Sequence, residues 1–231
     1  SGCNGGGTSS SASSIQFLAA GESGTILISY DGINWLSESS GTTNQLNAVG
    51  YIKPWNKFLA TGQNGTILSS VDGFNWVTES SNTRAGLYDF TYNAAANKLL
   101  IAGTNGIVMT SGDGVNWESQ LATSNSVNLY SIAYNNGFIA VGTKSTILTS
   151  NNGSTWTSLQ SPLQVFYSSV QYQQNKFITV GTGGAIATST DGVLFERQIS
   201  GTTADLHDVI YGNSQNIIIG AHGVILSSAD M

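Results

Sequence analysis

The chain repeats one short phrase five times and begins it a sixth time, and this period restricts the fold more than any other feature. Each phrase starts with serine, continues through Asp-Gly or Asn-Gly and closes with an aromatic residue. The copies are SYDGINW (29–35), SVDGFNW (70–76), SGDGVNW (111–117), SNNGSTW (150–156), STDGVLF (189–195) and a truncated SSAD (227–230). The closing aromatic residues are separated by 41, 41, 39 and 39 residues. Repeats of about 40 residues without a helical pattern are typical of four-stranded propeller blades.

The repeat predicts an all-β fold, a β-propeller of four-stranded antiparallel blades in one domain over residues 15–231. A glycine keeps the same period, fourteen residues before each aromatic position; its copies are Gly21, Gly62, Gly103, Gly142, Gly181 and Gly220. The first unit begins with strand two and the last ends before strand four, so we expect six blades and leave five and seven open. Three arrangements are open for the place where the first and last blades meet. Residues 7–14 form a poor inner strand, one blade stays incomplete, or another chain supplies the missing strand.

The second unit shows how the strands are placed within a repeat. We expect strand one at 46–51, strand two at 57–61, strand three at 66–69 and strand four at 75–78, joined by short turns of glycine and asparagine. Strand two is nearly continuously apolar in several units, as in 98–102 and 216–219. Such a strand is covered on both faces, which suits blades stacked around an axis.

Composition favours an extracytoplasmic module and argues against nucleic acid as a partner. Only 9% of residues are charged, and 7 basic against 13 acidic residues give a net charge of −6. Binding along a phosphate backbone needs clustered lysine and arginine. The single cysteine excludes an internal disulfide and a thiolate metal cluster.

Cys3 lies in Ser1-Gly2-Cys3 ahead of a Gly/Ser-rich run, and this beginning resembles the end of a bacterial lipoprotein signal. The resemblance implies a lipid on Cys3, a tether over 1–14 and a position at the bacterial outer membrane or cell surface. The alternative is a cloning scar with a free thiol. No segment has the apolar length of a membrane span.

The repeated phrase resembles the Asp-box, or bacterial neuraminidase repeat, of sialidases and of many propellers without sialidase activity. In that family the motif is a hairpin between strands three and four, in which the carboxylate accepts backbone N–H bonds and the aromatic ring packs between sheets. The matching acidic or amide positions are Asp31, Asp72, Asp113, Asn152 and Asp191. The matching tryptophans are Trp35, Trp76, Trp117 and Trp156, with Phe195 in the fifth copy. We therefore expect structural roles, with these tryptophans largely buried, because a role repeated in every blade is more naturally one in folding.

The sialidase activity of that family does not carry over to this chain. Sialidases bind the substrate carboxylate with three arginines, and this chain has only Arg84 and Arg197. Asp89 and Asp208, at equivalent positions in strand one, are the pair that a glycosidase would need. We expect solvated turn carboxylates instead, and no enzyme, no cofactor and no metal site.

The same D-G-x-x-W phrases resemble those of the photosystem II stability and assembly factor family. That family is understood to bind partners through an arginine-rich face, which two arginines cannot form. The resemblance therefore implies the general role of an assembly or scaffold propeller, not a photosynthetic one.

Two functions remain: an interaction scaffold for envelope or surface proteins, and a carbohydrate-binding, lectin-like propeller. Trp55, in a Lys-Pro-Trp-Asn turn, is either an exposed anchor for a partner or a sugar, or a ring folded back onto its own blade. The remaining candidates lie opposite the repeated turns, where side chains vary from blade to blade. They are Tyr88, Tyr130, Tyr167 and His207 at the start of strand one, and Glu22, Lys144 and His222 in the turns between strands two and three. We expect them to line a binding surface at the channel mouth, or else to plug the channel.

Overall fold

The computed structural model describes residues 15–230, which form six antiparallel sheets. The predicted tether over 1–14, with Cys3, lies outside the described residues, as does Met231. The sheets are the blades of a six-bladed β-propeller, as the repeat predicts. Within the described residues no helix is long and apolar enough to cross a membrane.

Blades 2 to 5 have four strands each, whereas blades 1 and 6 have three. Blade 1 contains Phe17–Ala20 (β1), Ile26–Ser29 (β2) and Trp35–Glu38 (β3). Blade 2 contains Leu46–Ile52 (β4), Lys57–Gly62 (β5), Ile67–Ser70 (β6) and Val77–Glu79 (β7). Blade 3 contains Leu87–Asn93 (β8), Lys98–Gly103 (β9), Ile107–Ser111 (β10) and Glu118–Leu121 (β11). Blade 4 contains Leu129–Tyr134 (β12), Phe138–Gly142 (β13), Ile147–Ser150 (β14) and Thr157–Ser158 (β15). Blade 5 contains Tyr167–Gln173 (β16), Lys176–Gly181 (β17), Ala185–Ser189 (β18) and Glu196–Gln198 (β19), and blade 6 contains Leu206–Gly212 (β20), Gln215–Gly220 (β21) and Ile225–Ser228 (β22).

The strands of blade 2 agree with the four expected from the sequence to within two residues at each boundary. Pairing registers show that β1 corresponds to strand two, because Gly21 follows it as Gly62 ends β5. Blade 1 therefore lacks strand one among the described residues, and blade 6 lacks strand four. Both truncations were expected from the sequence.

The hydrophobic core is divided into layers between neighbouring blades. Five apolar clusters join blades 1 to 2, 2 to 3, 3 to 4, 4 to 5 and 5 to 6. In the cluster between blades 5 and 6, for example, Ile178, Val180 and Ile186 pack with Leu206 and Val209. In blades 2 to 5, strand two is covered on both faces by such layers, which explains its continuous run of apolar residues.

The repeated Asp-Gly turns join strands three and four in the first five blades, as expected, and they are held by short local hydrogen bonds. In the first copy, Asp31 Oδ1 accepts from the amides of Ile33 and Asn34, at 2.8 Å each, and Ser29 Oγ accepts from the Gly32 amide at 2.9 Å. The same bonds recur at Asp72, Asp113 and Asp191, and Asn152 Oδ1 replaces the carboxylate in blade 4. These acidic residues therefore serve the turn itself.

The closing aromatic rings are not equally buried, which corrects one expectation. Trp117 and Phe195 are buried, Trp76 and Trp156 are half-buried, but Trp35 is 41% exposed. Trp117 packs with residues of the preceding blade, in the cluster between blades 2 and 3. The prediction that Trp35 is largely buried is wrong because blade 1 has no preceding blade packed against it among the described residues.

Candidate partner-binding site at the channel mouth

The central channel opens at the end where strand one begins, and it contains a polar cavity of about 470 Å³. Five of the six blades contribute the second and third residues of strand one to its wall. These pairs are Asn47 and Ala48, Tyr88 and Asp89, Tyr130 and Ser131, Ser168 and Ser169, and His207 and Asp208. The site thus combines residues from across the whole sequence.

A register shift explains why two consecutive residues both reach the channel. In every strand one of blades 2 to 6 the pairing with strand two shifts between the first and third residues. A β-bulge of this kind breaks the alternation of side chains that a regular strand would impose. The first residue, such as Leu87, points into the core and is fully buried.

Tyr167 occupies this buried first position, which corrects the prediction that it lines the channel. It pairs with Gly181 as Leu87 pairs with Gly103, and its ring is fully buried. Its hydroxyl lies 2.9 Å from Ser161 Oγ, and burial raises the pKa of the phenol. The residue of blade 5 that faces the channel in its place is Ser168.

Tyr88 and Tyr130 come together at the channel mouth. Their rings meet edge to face with centroids 5.0 Å apart, and both side chains are half-buried. His207 is exposed on the same wall, and Asn47 Nδ2 donates to the Leu87 carbonyl at 2.8 Å. The mouth therefore offers an aromatic pair, an imidazole and an amide on a rigid frame of strands.

Asp89 and Asp208 line the same cavity, half-buried on their strands, and are not the solvated turn carboxylates that the sequence suggests. Asp89 Oδ2 accepts from Ser131 Oγ at 2.6 Å and from the Ile132 amide at 3.1 Å. Asp208 Oδ1 accepts from Ser169 Oγ at 2.7 Å. Each carboxylate therefore links its blade to a neighbouring one, and sequence reasoning missed the two serines because serine is common throughout the chain.

The pKa of Asp89 is raised to about 6, chiefly because the carboxyl is buried and to a smaller extent by the charge of Asp208. The hydrogen bonds from Ser131 and from the amides of Ile132 and Phe90 act in the opposite direction. No lysine or arginine lines the cavity among the described residues. The electrostatic potential in the channel is therefore negative and favours a cationic guest.

The remaining predicted site residues lie outside the cavity. Glu22, Lys144 and His222 are exposed in the turns after strand two, and none of them lines the cavity. Lys144 Nζ donates to Ser126 Oγ at 2.9 Å. Within 15–230, no group of three histidine, cysteine or acidic residues is arranged to hold a metal ion.

Trp55 links two blades instead of standing free or folding onto its own blade. Its Nε1 donates to Asn97 Oδ1 at 2.7 Å, and its ring meets Tyr92 edge to face at 5.2 Å. Both partners belong to blade 3, so neither sequence-based alternative for Trp55 describes this contact. A side chain held in this way contributes to the junction between blades 2 and 3.

No protein-family model matches the sequence, and no curated protein matches it. Solved structures show the fold. A structure described as YCF48 bound to D1 peptide is 16% identical, with a TM-score of 0.72 over 92% of this chain and 74% of that one. YCF48 from Cyanidioschyzon merolae is 17% identical, with a TM-score of 0.68 over 91% and 78%. A streptogramin B lyase is 11% identical, with a TM-score of 0.74 over 93% and 78%.

Proposed function

We propose that this protein is a non-enzymatic propeller that binds a segment of another protein at its channel mouth. The observation that carries the proposal is the convergence of Tyr88, Tyr130, His207 and two channel carboxylates on a rigid frame. YCF48, which shares the fold, has been solved with a peptide bound. A propeller of this shape is therefore able to serve as a docking platform for proteins.

The chemistry of the mouth specifies the kind of segment. Asp89 and Asp208 attract a lysine or arginine side chain, and the edge-to-face tyrosine pair offers apolar surface and hydroxyl groups for its neighbours. The net charge of −6 favours approach of a basic partner. The proposed ligand is thus a basic, extended segment of a protein.

The proposed cellular setting rests on the sequence of the N-terminal residues. Cys3, within Ser-Gly-Cys-Asn and followed by a Gly/Ser-rich run, suits a lipid anchor and a scaffold role in a bacterial envelope or surface complex. Mass spectrometry of native protein tests this part separately. A diacylated cysteine at the mature N-terminus supports it, and an unmodified Cys3 preceded by Ser1-Gly2 contradicts it.

The docking site is tested by quantitative capture from membranes of the source cell. The double variant Tyr88→Ala with Tyr130→Ala should lose the captured partner while its melting temperature stays within a few degrees of the parent. Tyr51→Ala is the control, because Tyr51 is 44% exposed outside the channel cavity. Equal capture by all three proteins contradicts the proposal, and so does a glycan array that shows specific binding lost in the same double variant.

A further inference from the structure

The junction between blades 6 and 1 is uncovered among the described residues, unlike the other five. On the side of blade 6, Ile219 is 48% exposed and Ile225 is 70% exposed. On the side of blade 1, Phe17 is 45% exposed and Trp35 is 41% exposed. We call this surface the open junction.

Matched positions in blade 5 show what normally covers such a face. Val180 and Ile186 are the counterparts of Ile219 and Ile225, counted from Gly181 and Gly220, and they are 0% and 3% exposed. They are buried by strand one of the following blade, through residues such as Val209. The open junction is therefore uncovered because strand one of blade 1 is not among the described strands.

The repeated glycine gives an independent sign that a strand belongs there. In blades 2 to 6, a Cβ on this glycine would overlap the carbonyl oxygen of the residue that precedes strand one. The pairs are Gly62 with Gln45, Gly103 with Gly86, Gly142 with Asn128, Gly181 with Phe166 and Gly220 with Asp205. Around Gly21, in contrast, nothing lies within 4 Å of the corresponding position. Gly21 thus leaves the space that a neighbouring strand requires, and no strand of the described residues occupies it.

The hydrogen bond of the backbone amide that follows this glycine also marks the position of strand one. In blades 2 to 6 it donates to the same carbonyl oxygen over 2.7–3.0 Å. The donors are the amides of Gln63, Thr104, Thr143, Thr182 and Ala221. The corresponding amide in blade 1 belongs to Glu22, and among the described residues it has no such acceptor.

The lining of the channel also differs between blade 1 and the other blades at the position of strand one. In blades 2 to 6 only strand one lines the cavity, but in blade 1 the wall is formed by Leu18, Ala19 and Ala20 of β1. A strand-two segment is thus directly accessible from the channel. Among residues 15–230, β1 pairs only with β2, and its other edge is the usual template for strand addition.

We infer that the open junction binds a β-strand of a partner protein, which pairs with β1 and takes the place of strand one in blade 1. The five existing copies define its chemistry: a first residue that is leucine or tyrosine, and valine, isoleucine or phenylalanine three positions later. The copies are Leu46 and Val49, Leu87 and Phe90, Leu129 and Ile132, Tyr167 and Val170, and Leu206 and Val209. The carbonyl before the first residue would accept from the Glu22 amide.

The sequence of this chain favours a partner strand over its own N-terminal residues. Counting back from Gly21 at the spacings found in the other blades puts the first apolar position between 5 and 8, and the second between 8 and 11. These residues are glycine, threonine and serine, without a side chain able to cover Ile219 and Ile225. The open junction adjoins the polar mouth, because Leu18, Ala19 and Ala20 of β1 line the same cavity as Tyr88 and Tyr130.

A synthetic peptide that copies 204–213 of blade 6 is a suitable probe, because it contains a complete strand one. Isothermal titration with the full chain should show saturable 1:1 binding. A control peptide with Leu206→Ser and Val209→Ser should bind at least tenfold more weakly. Hydrogen exchange of the β1 amides and of Glu22 should slow when the first peptide is bound, and acrylamide quenching of Trp35 should decrease.

Variants of the protein separate the open junction from non-specific binding. Gly21→Ala should lower the affinity for the peptide at least tenfold, because the new methyl group would occupy the space of the incoming carbonyl. Gly212→Ala is the matched control, since nothing lies within 4 Å of its Cβ position either. Both variants should keep the melting temperature of the parent, which separates loss of binding from loss of folding.

Three results would overturn the inference. The first is an absence of saturable binding, or equal binding of both peptides. The second is protection of Trp35 and of the Glu22 amide in the protein without peptide, which would mean that the chain's own residues fill the junction. The third is a dimer that Gly21→Ala dissociates, which would identify a second copy as the occupant. Binding of the probe is measured at β1, Glu22, Gly21 and Trp35, whereas docking at the mouth is measured with the Tyr88 and Tyr130 variants, so failure here leaves the proposed docking at the channel mouth to its own test.

Discussion

Ser131 Oγ donates to Asp89 Oδ2 over 2.6 Å, from the first strand of blade 4 to the first strand of blade 3. The serine oxygen also lies within hydrogen-bond distance of the Val170 amide in blade 5, at 3.1 Å. One serine therefore links three blades around the channel. The bond is charge-assisted when Asp89 is ionised, and such bonds to buried carboxylates are stronger than neutral ones.

Stability should fall as the pH rises from about 4 to about 6 because of Asp89. Its folded-state pKa of about 6 lies above the ordinary value of 3.8 for an aspartate, so the folded state binds the proton more tightly than the unfolded chain. The stabilisation that protonated Asp89 contributes to the folded state is fully present below pH 3.8, and it is lost as the pH rises through about 6. Urea unfolding of the parent and of Asp89→Asn between pH 4 and pH 7 should show a smaller pH dependence in the variant.

Ser131→Ala provides the companion measurement for the same carboxyl. The variant removes a hydrogen bond that lowers the pKa of Asp89, so the transition should move to higher pH. Identical pH profiles for the parent and both variants would show that Asp89 is not buried as described.

The turn aspartates should give the opposite pH dependence, in a more acidic range. Backbone hydrogen bonds from Asn116 and Val115 hold the pKa of Asp113 well below its ordinary value. Its contribution to stability is present above the unfolded-state pKa of about 3.8 and is lost as the pH falls through the folded-state value. The difference in unfolding free energy between the parent and Asp113→Asn should therefore shrink between pH 5 and pH 2.

Blade 4 provides the control for this experiment, because Asn152 already makes the same two backbone bonds, at 2.8 and 2.9 Å. Asn152→Asp should add acid sensitivity where Asp113→Asn removes it. A loss of folding in Asp113→Asn at neutral pH would contradict the equivalence of the two turns.

Replacing Trp117 by alanine should lower the unfolding free energy much more than replacing Trp35, although both residues end a copy of the same repeated sequence. Trp117 is 8% exposed, and Trp117→Ala should cost about 3–5 kcal/mol of unfolding free energy, as for other large aromatic residues in cores. Trp35 is 41% exposed, so Trp35→Ala should cost less than half as much. Chemical unfolding at pH 7 measures both, and equal losses would mean that the open junction is closed in solution.

Trp117→Phe should be tolerated much better than Trp117→Ala. Among residues 15–230 the buried indole Nε1 of Trp117 has no acceptor, so phenylalanine removes an unpaired donor while it keeps an aromatic ring. Phe195 already fills the equivalent position in blade 5 with 3% exposure. A cost for Trp117→Phe as large as that of Trp117→Ala would indicate an acceptor that pairs with Nε1 in solution.

Gly142→Ala should destabilise the fold by about 1–3 kcal/mol, because the added methyl group would overlap the carbonyl oxygen of Asn128 and displace the backbone. Gly212→Ala is the comparison, since its Cβ position is open, and it should change the unfolding free energy by less than about 1 kcal/mol. Thermal and urea unfolding of the two variants distinguish a steric cause from a general effect of replacing glycine. Equal effects would point to the general cause.

The amino-acid sequence by itself determined the blade architecture, because both the 39–41-residue period and the local chemistry of Asp31, Gly32 and their copies are encoded within a few neighbouring residues. The same local pattern placed Tyr88 and Tyr130 at one end of the blades. Only the tertiary structure decided which residues face the channel, since one bulge per strand moves Tyr167 into the core and brings Asp89 to the cavity. Pairing between blades likewise fixed Trp55 against Asn97 and left Trp35 exposed. These contacts join residues about 40 positions apart, in neighbouring blades. Their strength depends on burial and on the side chains of the neighbouring blade, and the repeated sequence of a single blade specifies neither.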